Sequence, residues 1–229
     1  MRFSAIEKNT DADPVQPNLL NYQNCYQTFD WQQARGCIDG LPAGNINMAF
    51  EAVDRHLLHG NGEKIALRWL GKNNQQLDFS YQQLAEKSSR FAAVLDQLGV
   101  KKGEHVFGLA GRIPGLYIGL LGTLKFGAVF SPLFSAFGPE PIRSRMAIGD
   151  ARVLITTARL YRKKVQPWRE SMPHLEHVLL VDDLYDERDD ERFNDVDKPP
   201  PGCQFLTQLM AAADPRYPVA ATAPEDVAL

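Results

Sequence analysis

A stretch of helical periodicity begins near residue 47 of the chain. Asn47 is a favoured N-cap residue, and the apolar positions between residues 48 and 57 recur every three or four residues. Gly60 follows this stretch, and glycine often ends a helix because it adopts the left-handed conformation without strain. The pattern therefore predicts a helix that begins after Asn47 and stops at Gly60.

A hairpin and a longer helix are predicted next. Residues 64–70 (KIALRWL) alternate like a strand, and turn residues at 71–74 separate them from a second short strand. Ser80 and Gln83 then have the spacing of a capping box, in which each residue bonds the backbone of the other. The helix behind them carries an apolar stripe and ends at Gly99.

From residue 104 onward the pattern alternates between strands and helices. The predicted strands are 105–110, 128–131, 153–156 and 177–181, and the predicted helices are 114–126, one from Pro139, one around 159–164 and one over 204–212. Pro114 and Pro139 suit a first helical turn, where a missing N–H costs nothing. Because crossovers between parallel strands are right-handed, we expect an α/β fold: a mostly parallel sheet with helices on both faces.

The composition of the chain changes near residue 44. Residues 1–44 are rich in Asn, Gln, Asp and Pro, which is typical of an extended arm. The acid-rich stretch 182–197, followed by three prolines, is typical of a solvated surface loop. We therefore expect an extended N-terminal arm over 1–44 and one α/β domain over 45–229.

Composition also excludes several classes of protein. A formal net charge of -3 gives no general attraction to nucleic acid. The three cysteines form no CxxC pair and no disulfide framework, which favours a reducing compartment. The N-terminus lacks the apolar run of a secretory signal, and the apolar stretch 112–125 is too short to span a bilayer. We expect a cytoplasmic protein with no nucleic-acid or membrane partner.

Two segments have features of phosphate-binding sites. The turn 108–115 (GLAGRIPG) joins a strand to a helix N-terminus, but its spacing matches neither GxGxxG nor a P-loop, so a tight structural turn is favoured. The helix with Arg159, Arg162, Lys163 and Lys164 has the side chains to grip a phosphorylated ligand, since Arg offers a bidentate fork and Lys a compact charge. A solvated helix face is the alternative interpretation.

No catalytic constellation is visible in the sequence. His56 and His59 lie three residues apart, but no Cys or carboxylate at ligand spacing joins them, so we expect no metal site. The cysteines and the other histidines show no nucleophile-base arrangement. An NAD-linked oxidoreductase is disfavoured because the GxGxxG fingerprint and a paired acidic residue downstream are both absent.

Five segments follow one another between residues 45 and 156: NINMAFEAVDRHL, EKIALRWLG, FSYQQLAEKSSRFAAVLDQLGVKKGEHV, LYIGLLGTLKFGAVFSPLFSAFGPEPI and DARVLIT. In order and spacing they resemble the front half of AMP-forming acetyl-CoA synthetases, which belong to the adenylate-forming acyl-CoA synthetase superfamily. Residues 81–103 resemble the whole superfamily, whereas NINMAFEAVDRHL and FSAFGPEPI resemble its acetate and propionate branch. The resemblance implies the N-terminal subdomain of the adenylate-forming enzyme fold.

The resemblance implies an ATP-dependent ligase that converts acetate or another short carboxylate into an acyl-adenylate and then into acyl-CoA. In this family a Ser/Thr/Gly-rich loop that ends in Lys holds the triphosphate with magnesium, and the 229 residues contain no such loop. We therefore expect a fragment, truncated before the phosphate-binding loop, that is inactive without the missing remainder of the synthetase. A non-catalytic CoA- or nucleotide-binding module of the same fold is the alternative.

The resemblance also implies a few contacts with coenzyme A. Arg162 matches a family arginine near the CoA phosphates, and Ala136 matches a glycine beside the nucleotide. A second family arginine falls on Val165, so Lys163 or Lys164 is the expected substitute. The expected CoA-binding residues are thus Arg162, Ala136, Lys163 and Lys164, with no catalytic residue and no metal ligand assigned.

Overall fold

The computed structural model of the protein describes residues 19, 21–71, 74–181 and 198–229. The chain forms two compact units, which divide between Asp39 and Gly40. The predicted acidic loop at 182–197 and part of the predicted turn at 71–74 lie outside the described residues. The predicted division at residue 44 remains a prediction.

The first unit contains two short helices, α1 (Tyr22–Thr28) and α2 (Trp31–Arg35). The side chain of Asn21 accepts the N–H of Asn24 at the start of α1. At the start of α2, the side chain of Asp30 accepts the N–H of Gln32. The expectation of an extended arm is therefore wrong over these two helices. Each helix is stabilised by a cap residue whose side-chain oxygen accepts an N–H that has no partner within the helix.

The second unit contains the helix predicted after Asn47. The Oδ1 atom of Asn47 accepts the N–H groups of Ala49 at 2.9 Å and Phe50 at 3.2 Å. The helix runs through a π-helical segment (Phe50–Asp54) into α3 (Arg55–Leu58). Gly60 follows with a φ of 72°, so the predicted start and stop are confirmed.

The same Asn47 side chain connects distant parts of the unit. Its Nδ2 atom donates to the carbonyl oxygens of Leu124 at 2.9 Å and Ala220 at 3.0 Å. Beside it, Ile46 and Thr222 form an isolated antiparallel bridge. One buried amide thus holds a helix start against the helix Pro114–Phe126 and against a segment that lies 173 positions away in the sequence.

The predicted hairpin and long helix are both confirmed. Strand β1 (Ile65–Leu70) pairs antiparallel with β2 (Gln76–Ser80), and α4 (Tyr81–Gln97) follows directly. The Gln83 N–H donates to Ser80 Oγ at 3.2 Å, and the Ser80 N–H donates to Gln83 Oε1 at 2.9 Å. This reciprocal pair is the predicted capping box.

Five parallel strands form the main sheet of the second unit. They are β3 (His105–Ala110), β4 (Val129–Phe134), β5 (Ala151–Thr157), β6 (His177–Val181) and β7 (Cys203–Phe205), in the spatial order β4-β3-β5-β6-β7. The connecting helices are α5 (Pro114–Phe126), α6 (Pro139–Ile148) and α7 (Ala158–Lys164), and α8 (Leu206–Ala212) follows β7. The predicted α/β order is confirmed, with β7 as an additional strand.

Helices cover both faces of this sheet, as predicted. Alternate strand residues such as Val106 and Ile155 pack in one apolar core with residues of α4, α5 and α8. The residues between them, such as Leu109 and Leu154, pack in a second core with residues of α6 and α7. Because all five strands are parallel, their carboxyl ends meet at one edge.

The fully buried Lys125 connects three helices of the first core. Its Nζ atom donates to Asp54 Oδ1 at 2.8 Å, to the Ala85 carbonyl at 3.1 Å and to Ser89 Oγ at 3.1 Å. Burial lowers the pKa of Lys125 and raises the pKa of Asp54, and the attraction between the two charges opposes both shifts. Loss of one partner would leave the other charge buried.

Candidate functional site

The expected CoA-binding residues lie on the face of the sheet that α6 and α7 cover. Strand β4 ends at Phe134 and continues into a loop that precedes α6. Strand β5 ends at Thr157, whose side chain accepts the Leu160 N–H at 3.3 Å and so starts α7. Open α/β sheets bind their ligands at this edge, where the strands end.

The loop after β4 is a tight turn that exposes Ala136. The Phe137 N–H donates to the Phe134 carbonyl at 3.0 Å and closes the turn. The rings of Phe134 and Phe137 meet edge to face with centroids 5.5 Å apart, and the Arg145 guanidinium lies 4.5 Å from the Phe137 ring centroid. The turn is therefore supported by aromatic packing and by a cation over a ring face.

Lys164, at the end of α7, contacts this turn directly. Its Nζ atom donates to the carbonyl oxygens of Ser135 at 2.6 Å and Phe137 at 2.5 Å. These two carbonyls flank Ala136 in the sequence. The structure thus brings together two of the four expected site residues, Lys164 and Ala136.

Arg162 and Lys163 occupy the same last turn of α7 as Lys164. Lys163 is exposed and Arg162 is half-buried. Arg162 lies near Cys203 of β7, where its charge opposes the burial that raises the pKa of the thiol. Lys164 instead contacts the loop after β4. Positions two apart on a helix do not face each other, so Arg162 and Lys164 do not form one cluster.

Val165 is the position on which the resemblance places a second family arginine. Its side chain is fully buried in the core beneath α6 and α7. An arginine at this depth would lose its hydration without a paired charge. The apolar residue therefore fits this fold.

A buried tyrosine of α7, Tyr161, contacts a buried cysteine of β7, Cys203. Burial, followed by the hydrogen bond to Cys203, raises the pKa of Tyr161 to about 12. Burial also raises the pKa of the Cys203 thiol. A thiol with a raised pKa stays protonated at neutral pH and is a poor nucleophile, so we assign this pair to packing.

The Gly-rich turn between β3 and α5 is explained by packing. A Cβ atom on Gly108 would lie 2.6 Å from the Phe130 ring and 2.8 Å from Leu116. The Trp69 indole N–H donates to the Arg112 carbonyl at 2.6 Å and fixes the turn from the side of the hairpin. These contacts support the tight structural turn favoured from the sequence.

A concavity of about 560 Å³ lies among α4, α5 and α8 on the opposite face. Two of its charged residues are used within the fold. Arg90 donates to the carbonyls of Met210 at 3.0 Å and Ala213 at 2.6 Å, and Glu86 accepts from Gln82 at 2.7 Å. We therefore place the candidate site at the turn after β4 and the last turn of α7.

The described part of the chain contains neither a metal-binding cluster nor a membrane-spanning helix. The His56 ring packs against the Tyr81 ring with centroids 4.3 Å apart, a contact that sequence inspection missed because the two residues are 25 positions apart. Over residues 19, 21–71, 74–181 and 198–229, no group of three His, Cys, Asp or Glu side chains is placed to hold a metal ion. The helices of these ranges include none with the length and apolarity needed to cross a bilayer.

Solved structures of acyl-CoA synthetases share this fold. An acyl-CoA synthetase of Brucella canis superposes with a TM-score of 0.75 at 25% identity, over 90% of this chain and 35% of that chain. An anthranilate CoA ligase in complex with anthranoyl-AMP superposes with a TM-score of 0.67 at 20% identity, over 82% of this chain and 32% of that chain. The second likeness concerns the fold alone.

Similarity in sequence points to the same group of enzymes. The acetyl-coenzyme A synthetase of Bacillus subtilis is 34% identical over 165 residues, which are 72% of this chain and 28% of that protein. The acetyl-coenzyme A synthetase of Halorhodospira halophila is 36% identical over 131 residues, which are 57% of this chain and 20% of that protein. The chain thus spans about a quarter of the length of these curated relatives. Residues 55–229 match the family described as AMP-binding enzyme, and the chain belongs to that family.

Proposed function

We propose that this chain provides the N-terminal part of an ATP-dependent, AMP-forming acyl-CoA synthetase for acetate or another short carboxylate. In the first step a carboxylate oxygen attacks the α-phosphorus of ATP and releases pyrophosphate. In the second step the CoA thiol attacks the acyl carbonyl and releases AMP. The family match over residues 55–229 and the relatives named acetyl-coenzyme A synthetase support this proposal. ATP and CoA are cytoplasmic reactants, so we place the activity in the cytoplasm.

The observation that carries the proposal is the basic last turn of α7 beside the exposed turn after β4. Arg162 and Lys163 are the residues that we assign to the phosphate groups of CoA. A guanidinium binds phosphate through two parallel N–H donors, and an ammonium acts as a compact charge. Ala136, at the exposed turn, lies beside the nucleotide part of the ligand in this proposal. A methyl group there narrows the approach relative to glycine.

Calorimetric titration with CoA and with 3′-dephospho-CoA tests this assignment. Arg162→Ala and Lys163→Ala each remove a charge-assisted contact, so each is expected to weaken CoA binding by roughly tenfold or more. Lys87→Ala is the matched control, because Lys87 lines the concavity on the opposite face. Equal CoA affinity in the wild type and in both site variants would refute the assignment.

Catalysis requires donors that the 229 residues do not contain. The sequence has no Ser/Thr/Gly-rich loop ended by Lys, which in this family meets the charge of the triphosphate. No metal-binding group of acidic side chains is present in the described part of the chain, so we assign no magnesium ligand. The isolated chain is therefore expected to show no acetate-dependent ATP–pyrophosphate exchange until the remaining part of a synthetase is supplied. Exchange by the isolated chain would contradict this proposal.

A non-catalytic CoA- or nucleotide-binding module of the same fold is the second candidate. The basic last turn of α7 favours it, because binding through Arg162 and Lys163 does not depend on a phosphate-binding loop. Titration and turnover distinguish the two candidates. CoA binding that persists without any thioester formation, when the remainder of a synthetase is supplied, identifies the binding module.

A further inference from the structure

The two adjacent lysines at the end of α7 have different surroundings. Lys163 is exposed. Lys164 is half-buried, and its ammonium donates at 2.6 and 2.5 Å to the carbonyls of Ser135 and Phe137, which lie 29 and 27 positions away. An ammonium has three N–H donors, so at least two of the three are used by the turn after β4.

The turn itself explains why a cation is needed at this position. The Phe137 N–H donates to the Phe134 carbonyl and closes the turn. The carbonyls of Ser135 and Phe137 take no part in that bond and accept from a donor outside the turn. One ammonium satisfies both carbonyls in a part-buried setting, where hydrogen bonds to a charged group are strong. Ala136 is thereby held at the exposed tip of the turn.

A second cation supports the same turn from a different helix. The guanidinium of Arg145, on α6, lies 4.5 Å from the Phe137 ring centroid. Phe137 is therefore held at its ring by α6 and at its carbonyl by α7. Both contacts hold the residue that follows Ala136 in the turn.

We propose that Lys164 is a positioning residue that sets the shape of the turn at 134–137, and that Lys163 alone of the two lysines meets a CoA phosphate. The identity of the ligand rests on the proposed function, whereas the effect of Lys164 on the turn does not. Lys164 acts through the turn that carries Ala136 and makes no phosphate contact of its own. The two carbonyl bonds leave its ammonium at most one N–H donor for any other acceptor.

Amide hydrogen exchange tests the effect on the turn without any ligand. In Lys164→Met, exchange of a peptide covering residues 134–138 is expected to be at least about tenfold faster, since the turn loses two charge-assisted bonds. Lys163→Met is the matched control and is expected to leave exchange unchanged. Lys164→Arg retains N–H donors and is expected to restore most of the protection. Exchange in Lys164→Met that equals the wild type overturns the proposal, with unchanged exchange in α4 as the check that the variant is folded.

Salt dependence of CoA binding then separates positioning from direct contact. Direct charge contacts are screened by salt, so Lys163→Met is expected to flatten the salt dependence of CoA affinity. Lys164→Met is expected to weaken CoA and 3′-dephospho-CoA by the same factor and to keep the wild-type salt dependence. If Lys164→Met flattens the salt dependence of CoA affinity as much as Lys163→Met does, the positioning role is overturned. Failure of the wild type to bind CoA refutes the proposed function, and the exchange result still decides the role of Lys164.

Discussion

Two glycines of α5 differ in what an added methyl group would meet. A Cβ atom on Gly119 would lie 2.6 Å from Cδ1 of Ile155, which is the far end of a flexible side chain. A Cβ atom on Gly122 would lie 2.6 Å from Cβ of Phe91 and 2.8 Å from the Ser88 carbonyl oxygen, both on α4. The first obstacle can rotate away, whereas the second moves only if α4 and α5 separate.

The expected free energies of unfolding follow from two opposing effects. Replacing glycine by alanine inside a helix favours folding by about 1 kcal/mol through helix propensity. Overpacking a core costs about 1–3 kcal/mol, and the upper end applies where backbone must move. Gly119→Ala is therefore expected to leave stability within about 1 kcal/mol of the wild type, and Gly122→Ala to lower it by about 2 kcal/mol.

Urea denaturation followed by circular dichroism, together with thermal melts, measures both variants against the wild type. For a chain of this size about 2 kcal/mol corresponds to a loss of roughly 4–8 °C in Tm. Gly119→Ala serves as the matched control, because both substitutions are glycine to alanine in the same helix. Equal midpoints for the two variants, or a Gly122→Ala variant as stable as the wild type, would refute the close approach of α4 and α5.

Other parts of the fold give three further predictions. Ser80→Ala removes the capping-box oxygen of α4 and is expected to cost about 1 kcal/mol in urea denaturation, and an unchanged midpoint would contradict it. Lys125→Met leaves Asp54 buried without its cation and is expected to cost about 3 kcal/mol at neutral pH. Burial raises the pKa of Asp54, so in this variant the folded state binds a proton more readily than the unfolded state and is favoured at low pH. The loss in free energy of unfolding should therefore shrink when urea titrations are repeated from neutral pH down to about pH 4. A loss that does not change with pH would contradict this. Burial keeps the Cys203 thiol protonated, so mass spectrometry after iodoacetamide treatment should find Cys25 modified in the native protein and Cys203 only after unfolding.

Local signals account for the parts of the fold that the sequence predicts well. The capping box at Ser80 and the proline starts of α5 and α6 depend on residues within one helical turn, so they can be found in the sequence alone. The helices α1 and α2 and the strand β7 have only seven, five and three residues. Segments of this length contain too few positions to show a period.

The candidate site was predicted only in part, for a geometric reason. Resemblance to a family singled out Ala136 and Arg162, and Lys163 and Lys164 were expected to substitute for a second family arginine that falls on Val165. Consecutive residues on a helix differ by about 100° in direction, so neighbours in sequence can have unlike surroundings. The bond from Lys164 to the Ser135 carbonyl spans 29 positions, and no local pattern in the sequence indicates it.

The hydrogen bonds of the Asn47 side chain, here called the Asn47 junction, constrain the order in which the second unit can be completed. Its cap on Ala49 and Phe50 is local and is available as soon as these residues leave the ribosome. The acceptor on Ala220 lies 173 positions later, a delay of roughly 10–35 s at ordinary rates of translation. Throughout that interval one N–H of the Asn47 amide must be satisfied by water, so a nascent chain shorter than about 220 residues cannot exclude solvent from this junction.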